Sequence, residues 1–438
     1  MSQFALLGQR RFGPFFATQA MAAFNDNAFR YATVGMATFE LALSQGALNT
    51  YVNLALALFI IPFFVLSATA GQLAEKFEKA RLIRYIKLFE ILAMLIAAVG
   101  FWTRSLELLL VVLCMMGVHS TVFGPIKYAI VPQMLKPHEL TGGNGLVESG
   151  TSLSILIGSL VGNALMAVPD IGPTLASLTV IGMAVAGFAA SLGIPKAPAT
   201  APDLTFNFNP VSETWRVLGH VRAERTVFYA VIGISWFWFF GATLTTQAPA
   251  YARDYLGGDA SVLNLVLVLF SVGVGVGSLC CEKLSARHVN PGLVTLGALG
   301  MTAVGLDLYF ARPHHANALG LDWLQFLAAP GGWHIAFDLA VIGVFAGLYI
   351  VPLFALVQQR TRPQRLSRVI AGNNIINSLF MVLAAGLGVL APSLGLDVPA
   401  LIALVCVGNL LVMAWLCIRV PEFWRRFVDW CRRKPSTP

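Results

Sequence analysis

The ionisable side chains inside long apolar runs have the most chemistry to offer. Asn25, Asp26 and Asn27 interrupt the first such run, and Arg30 follows Asp26 one helical turn on, on the same face. Lys127 comes late in another run, just behind Gly124-Pro125, and Glu148 comes early in the next. An ionisable group at the centre of a bilayer costs roughly 2.5–3.5 kcal/mol on insertion scales, so each one marks a functional site by default. This set suits recognition of a zwitterion, with Lys127 attracting a phosphate and Asp26 an ammonium. Two plainer readings stand beside it. Asp26 and Arg30 can neutralise each other, and Lys127 with Glu148 can clamp two helices at similar depth. Asn25 and Asn27 also need partners, which argues for a wet cavity. Gly124-Pro125 is expected to bend its helix and free carbonyls beside Lys127.

The elements that carry these residues follow from composition. The chain has 438 residues, 57% hydrophobic and only 11% charged. Soluble domains carry about 25% charged residues, so a soluble enzyme or a nucleic-acid binder is excluded. The net charge of +8 comes from basic residues in short loops and forms no continuous stripe. A membrane helix needs roughly 20 mostly apolar residues. Twelve runs meet that need, at 12–40, 51–74, 82–102, 106–132, 141–168, 172–194, 226–252, 262–283, 292–311, 334–358, 367–395 and 398–418. Arg10 and Arg11 precede a first run too long for a cleaved signal.

Orientation follows from Lys and Arg. With both termini cytoplasmic, only Arg104, Arg253 and Arg312 fall outside, and Arg30 and Lys127 lie within spans. The other 24 of 29, Arg84, Lys87 and Arg368 among them, fall inside. One missed helix would invert every later loop, so the asymmetry supports the count. The expected domains are a six-helix bundle at 1–194, a cytoplasmic linker at 195–225, a second bundle at 226–419 and an amphipathic tail at 420–438. In the linker, 195–202 reads as stiff and extended, and 210–225 as a short surface helix with Trp215 and Leu218 on one side. In the tail, Phe423, Trp424, Phe427 and Trp430 recur at helical spacing between Arg425, Arg426, Arg432 and Arg433, as in an interfacial anchor.

Other polar residues look less informative. Glu90 reads as a snorkelling side chain, His119 and His334 as packed histidines, and Asp307 and Asp338 as facing a cavity or the outer interface. Asn373, Asn374 and Asn377 suit interhelical hydrogen bonds. The cysteines Cys114, Cys280, Cys281, Cys406, Cys417 and Cys431 have no zinc spacing. There is no P-loop and no His-x-x-x-x-Asp, so no enzyme, cofactor or metal centre is expected.

The chain repeats itself. Gly143-Asn144-Gly145-Leu146-Val147-Glu148-Ser149 opens the fifth run and Gly372-Asn373-Asn374-Ile375-Ile376-Asn377-Ser378 the eleventh. Glu75-Lys76-Phe77-Glu78-Lys79-Ala80-Arg81 after the second is echoed by Glu282-Lys283-Leu284-Ser285-Ala286-Arg287 after the eighth. The two offsets differ by about the length of the outer loop 313–333, which has no counterpart in the first half. Six spans per repeat make the halves parallel, the layout of alternating-access carriers. Where the first half has Asn25-Asp26-Asn27, the second has Trp238-Phe239-Phe240, and Lys127 is answered by Phe354. A polar wall and an aromatic wall suit an amphiphile.

Gly71-Gln72-Leu73-Ala74-Glu75-Lys76-Phe77-Glu78-Lys79-Ala80-Arg81 resembles the loop signature of the major facilitator superfamily, with Glu75 where that signature usually has Asp and Glu78 where it has Gly. The resemblance implies an all-α membrane protein with twelve transmembrane helices in two parallel six-helix repeats, the major facilitator fold. It also implies a conformational latch at Gly71, Glu75, Lys76, Lys79 and Arg81. Phe24-Asn25-Asp26-Asn27-Ala28-Phe29, Gly124-Pro125-Ile126-Lys127-Tyr128 and the 143–148 motif resemble the lysophospholipid transporter (LplT) branch. They also resemble the transporter portion of fused proteins carrying an acyltransferase and an acyl-carrier-protein synthetase. Some members of that branch carry an Arg in the seventh span, where this chain has Thr245. The branch implies movement of lysophosphatidylethanolamine-like lipids from the outer to the inner leaflet of a bacterial inner membrane. There a partner acyltransferase would reacylate them. Asn25, Asp26, Asn27, Arg30, Lys127, Glu148, Trp238 and Phe239 would then contact substrate. The alternative is proton-coupled export of a small amphiphile or drug, with Asp26 as the proton site.

Overall fold

In a bilayer every backbone N–H and C=O needs a partner within the protein, and a helix supplies them segment by segment. The computed structural model describes residues 2–311 and 320–432. It is helical, with an isolated bridge between Gly258 and Leu321 as the only β pairing among the described residues. The first half holds α1 (Gly13–Gly35), α2 (Gln45–Lys76), α3 (Lys79–Trp102), α4 (Leu106–Met134), α5 (Leu140–Met166) and α6 (Gly172–Leu192). A short α7 (Pro210–Arg222) lies in the linker. The second half holds α8 (Arg225–Ala250), α9 (Ala260–Leu284), α10 (Gly292–Phe310), α11 (Trp323–Ala328), α12 (Gly332–Arg360), α13 (Leu366–Leu390), α14 (Val398–Arg419) and α15 (Glu422–Cys431).

The twelve longest helices coincide with the twelve apolar runs. Ten of them are long and apolar enough to cross a membrane. The two others, α1 and α3, have the length, but they carry Asn25, Asp26, Lys87 and Glu90 in their middle turns. Both carry ionisable residues at mid-helix, whereas the buried Lys127, Glu148 and Asp338 lie nearer the ends of theirs.

Boundaries differ from the expectation where caps decide them. The Ser44 side chain accepts from the Ala47 amide, so α2 starts well before Tyr51. A 3-10 turn at Pro392–Leu394 and Gly395 at a positive φ of 70° end the eleventh span early. The outer loop 313–333 is not featureless: Asp322 and Gln325 form a capping box that starts α11. Arg312, Arg433, Lys434 and 313–319 lie outside the described residues. In the linker, Asn209 caps α7, but the packed face is Val217, against Ala68, Ala371 and Ile375, and Val221, beside Gly372. Trp215 is 66% exposed, contrary to the face expected. The tail forms α15, with Phe423 buried and the Trp430 indole donating to the Leu284 carbonyl at 2.9 Å.

The residues group into two compact units that are not the two halves of the sequence. Unit 1 comprises Met1–Lys136, Leu153–Ala223 and Thr361–Ile375. Unit 2 comprises Pro137–Ser152, Glu224–Arg360 and Ile376–Pro438. The expected bundle limits 1–194 and 226–419 miss this exchange of segments. Its causes are local. Gly71 of α2 has no side chain to hold off Ala371 and the Arg368 backbone of α13 in unit 1. In unit 2 the Asn144 and Gln358 amides of α5 and α12 bond each other in both directions, at 2.6 and 3.1 Å.

Within unit 1, α1 packs on α6 and α2 on α4, and Ala28, Phe29, Met94, Phe101 and Met116 help fill the core. Within unit 2, α9 packs on α12 through Gly273, Gly277, Gly343 and Gly347, each facing a backbone carbonyl of the other helix. Small residues allow that approach in a membrane protein.

Candidate functional site

The middles of α1, α3 and α4 bring six polar residues together in unit 1. On α1, successive residues are turned by about 100°, so Asn25 and Asp26 point to different neighbours. The Asn25 amide donates to Glu90 Oε1 of α3 at 2.8 Å. Asp26 Oδ2 accepts from the Ser120 hydroxyl of α4 at 2.6 Å. Lys87 and Glu90, one turn apart on α3, form an ion pair with no exposed surface. His119 of α4 lies between the two carboxylates, its Nε2 3.0 Å from Glu90 Oε2 and its Nδ1 3.7 Å from Asp26 Oδ1. Its ring stacks on Phe123 with centroids 5.9 Å apart.

The set is a chain of groups running Lys87, Glu90, His119, Asp26, with Asn25 and Ser120 as flanking donors. Buried charges survive when paired and hydrogen-bonded, and Glu90 at the centre takes three partners. Gly187 of α6 leaves room for the lysine: a Cβ there would stand 2.6 Å from the Lys87 ammonium. Asp26 is the carboxylate with accessible surface, 17% of its side chain, and its Oδ1 has no hydrogen-bond partner. That oxygen is itself buried and lies 3.7 Å from His119 Nδ1, so it keeps acceptor capacity without exposed surface of its own.

The other sequence-derived residues fall elsewhere. Arg30 does not neutralise Asp26. Its guanidinium lies 5.5 Å from the centroid of the Tyr31 ring. The Asn27 amide returns to the Ala23 carbonyl of its own helix at 2.9 Å. Lys127 is buried on α4, its ammonium 5.1 Å from the Tyr128 ring centroid. Glu148, on the part of α5 that belongs to unit 2, is also buried. In unit 2, Phe239 stacks on Trp236 at 4.9 Å and meets Phe380 edge-on, while Trp238 meets Phe237 edge-on. Phe354 is buried. Thr245 spends its hydroxyl on the Gly241 and Ala242 carbonyls.

Four residues of the cluster escape the sequence reading, Ser120 by going unnoticed and three by being read otherwise. Lys87 is no loop charge, Glu90 does not snorkel, and His119 is not alone; all three are fully buried together. The spacing of Lys87 and Glu90 inside an apolar run was the available signal.

A second constellation surrounds the end of α2. Glu75 accepts from the Arg368 guanidinium at 2.7 Å and from the Arg368 backbone amide at 3.1 Å. The Lys76 ammonium donates to the Leu204 carbonyl at 2.7 Å. Lys79 donates its backbone N–H to the Ala197 carbonyl, and its buried ammonium has no hydrogen-bond partner. The Arg81 guanidinium donates to the Tyr85 hydroxyl at 3.0 Å. The linker runs along this corner. Thr200 and Ala201 donate to the Glu75 carbonyl, Ala197 to Glu78, and Asn207 exchanges hydrogen bonds with Gln72.

His220 of α7 stands beside this corner. Burial pushes its imidazole down to about 4 from an ordinary 6.5, and nearby Arg368, Arg365 and Arg216 push the same way. Protonation is thus easier in the unfolded chain. The stability this neutral histidine supports is complete above about pH 6.5 and is lost as pH falls toward 4. Melting temperature in detergent is expected to drop across that window, and His220→Asn to flatten the drop. Parallel wild-type and variant curves would refute the assignment.

The chain matches the family model of the Major Facilitator Superfamily over residues 15–385. The chain belongs to that superfamily. Among relatives of this superfamily member, it is 28% identical over 393 residues to the lysophospholipid transporter LplT of Enterobacter sp. (strain 638), covering 87% of this chain and 89% of that one. It is 29% identical over 392 residues to LplT of Cronobacter sakazakii, covering 87% and 88%. In fold it is similar to FucP, a Major Facilitator Superfamily transporter in the outward conformation, with a TM-score of 0.68, 14% identity and coverage of 94% and 99%. This member of the superfamily is a multi-pass membrane protein.

Proposed function

We propose that the protein moves lysophospholipids across a bacterial inner membrane, from outer to inner leaflet, by alternating access. The observation that carries the reading is the Asp26 carboxylate at mid-helix, 17% exposed, hydrogen-bonded by Ser120, with its Oδ1 lacking a hydrogen-bond donor. An ammonium headgroup fits that acceptor, and Lys127 suits the phosphate. Trp238 and Phe239 give unit 2 an aromatic surface suited to an acyl chain. The similarity to lysophospholipid transporters supports this substrate class. The distribution of Lys and Arg supports cytoplasmic termini, on the side where an acyltransferase would consume the product.

The test is reconstitution of the purified protein in liposomes with labelled lysophosphatidylethanolamine in one leaflet. Faster leaflet exchange of chemically unchanged lipid is expected. Exchange no faster than in protein-free vesicles overturns the reading. Proton-coupled export of a small amphiphile, with Asp26 as the proton site, is the second reading, favoured by one feature: His119 sits between the Asp26 and Glu90 carboxylates. A protonophore abolishes transport in that case and leaves lipid movement intact in the first.

Glu75 and Arg368, with Gly71, Lys76, Lys79 and Arg81 around them, form the latch of this transporter in our reading. Glu75→Gln leaves a guanidinium that is only 10% exposed without its carboxylate, a loss of about 3 kcal/mol. Initial transport rates are expected to fall at least about tenfold. The swap of Glu75→Arg with Arg368→Glu is expected not to restore them, because the Arg368 backbone amide also needs an acceptor there. Full activity of Glu75→Gln excludes the latch, and full activity of the swap excludes a role for the backbone amide.

A further inference from the structure

The ends of α10 and α12 in unit 2 carry a cluster that the lipid reading does not use. Asp307 lies one turn before the end of α10, and His334 and Asp338 are one turn apart at the start of α12. His334 Nε2 is 2.9 Å from Asp307 Oδ2 and 3.5 Å from Asp338 Oδ2. One ligand atom from each of the three residues falls within 4.8 Å of the others. We propose that Asp307, His334 and Asp338 bind a divalent transition-metal ion of the zinc type.

Asp338 makes this more than a surface ion pair. It is 2% exposed, and its Oδ2, the oxygen turned toward His334, has no hydrogen-bond partner. A buried carboxylate oxygen without a donor is costly, and a dication would satisfy it. The other two side chains are half-exposed, His334 at 51% and Asp307 at 55%, so an ion can reach the cluster from water. The ligand set selects the metal. Zinc takes imidazole nitrogen and carboxylate oxygen at about 2.0–2.2 Å in a tetrahedron, which sets its ligand atoms about 3.3–3.5 Å apart. The 3.5 Å separation already matches, and the 2.9 Å pair opens by a small side-chain rotation. The fourth position is left for water. Calcium and magnesium want six or more oxygens and have little use for imidazole. The bound ion would tie the end of α10 to the start of α12, on the face that the basic residues assign to the outside.

The individual signals were in the sequence: His334 and Asp338 have the spacing of neighbours on one helix face. Asp307 is on another helix, and only the fold brings it near.

The test uses the untagged full chain in detergent, stripped with a chelator and titrated with Zn2+ by calorimetry, with bound metal counted by mass spectrometry. Wild type is expected to hold one more Zn2+ than His334→Ala or Asp338→Asn, and millimolar Mg2+ is not expected to displace it. Removing a ligand is expected to weaken this binding at least about tenfold. Zn2+ is expected to raise the melting temperature of wild type and not of the variants. Equal binding by wild type and His334→Ala overturns the proposal, as does equal competition by Mg2+. If Asp338→Asn does not fold, the half-exposed His334→Ala and Asp307→Asn variants carry the same comparison.

Discussion

Replacing Asp26 by Asn is expected to slow lysophosphatidylethanolamine transport about a hundredfold. The substitution keeps the shape and the hydrogen bond from Ser120, and removes only the charge. Losing one partner of a desolvated charge pair costs about 2–5 kcal/mol, and 2.7 kcal/mol is about a hundredfold. The control lies in the substrate. A lysophospholipid whose head lacks an ammonium has no use for the Asp26 charge, so the same variant is expected to move it at close to the wild-type rate. Initial rates in proteoliposomes for the two lipids make the comparison. Wild-type rates for both would remove Asp26 from headgroup recognition; equal losses for both would make it a structural residue.

Glu90→Gln is expected to be the most destabilising single change in the membrane-spanning core. Glu90 is the partner of Lys87, Asn25 and His119, and neither it nor Lys87 has any exposed side-chain surface. The variant leaves an ammonium buried beside a neutral amide, which costs about 3–5 kcal/mol. A second change, Lys87→Met, removes that ammonium. The double variant is therefore expected to melt at a higher temperature than Glu90→Gln alone. Thermal unfolding of wild type, the two single variants and the double variant in one detergent decides it. If the double variant is as unstable as the sum of the singles, the pair contributes no coupling and the cluster has been misread.

The helices were legible because crossing a bilayer demands long apolar runs, and this chain supplies them with little else between. The rotation of each helix was not legible. A helix apolar nearly all round has no polar stripe to say which face meets which neighbour. Asp26 stood out by being charged where charge is costly. Its neighbours Glu90 and His119 stood on other helices, and nothing in their spacing pointed back to α1. Glu75 was visible within its loop signature, yet its partner Arg368 is 293 residues away and read as one more loop charge. Glycines at close approaches, such as Gly187 beside Lys87 and Gly71 beside α13, carry information that appears only when the neighbours are in place.

The linker has a mechanical consequence. From Ala197 to Asn207 it is stitched to the corner of α2 and α3, and α7 is seated on Ala68, Ala371 and Ile375. Only Ala223 and Glu224 separate the end of α7 from the start of α8. The linker of some thirty residues, read from sequence as a stiff stretch and a short helix, is a leash with almost no play. Swings of α8 beyond that play would have to peel the stitched segment away or fray a helix end, so the leash itself limits the stroke.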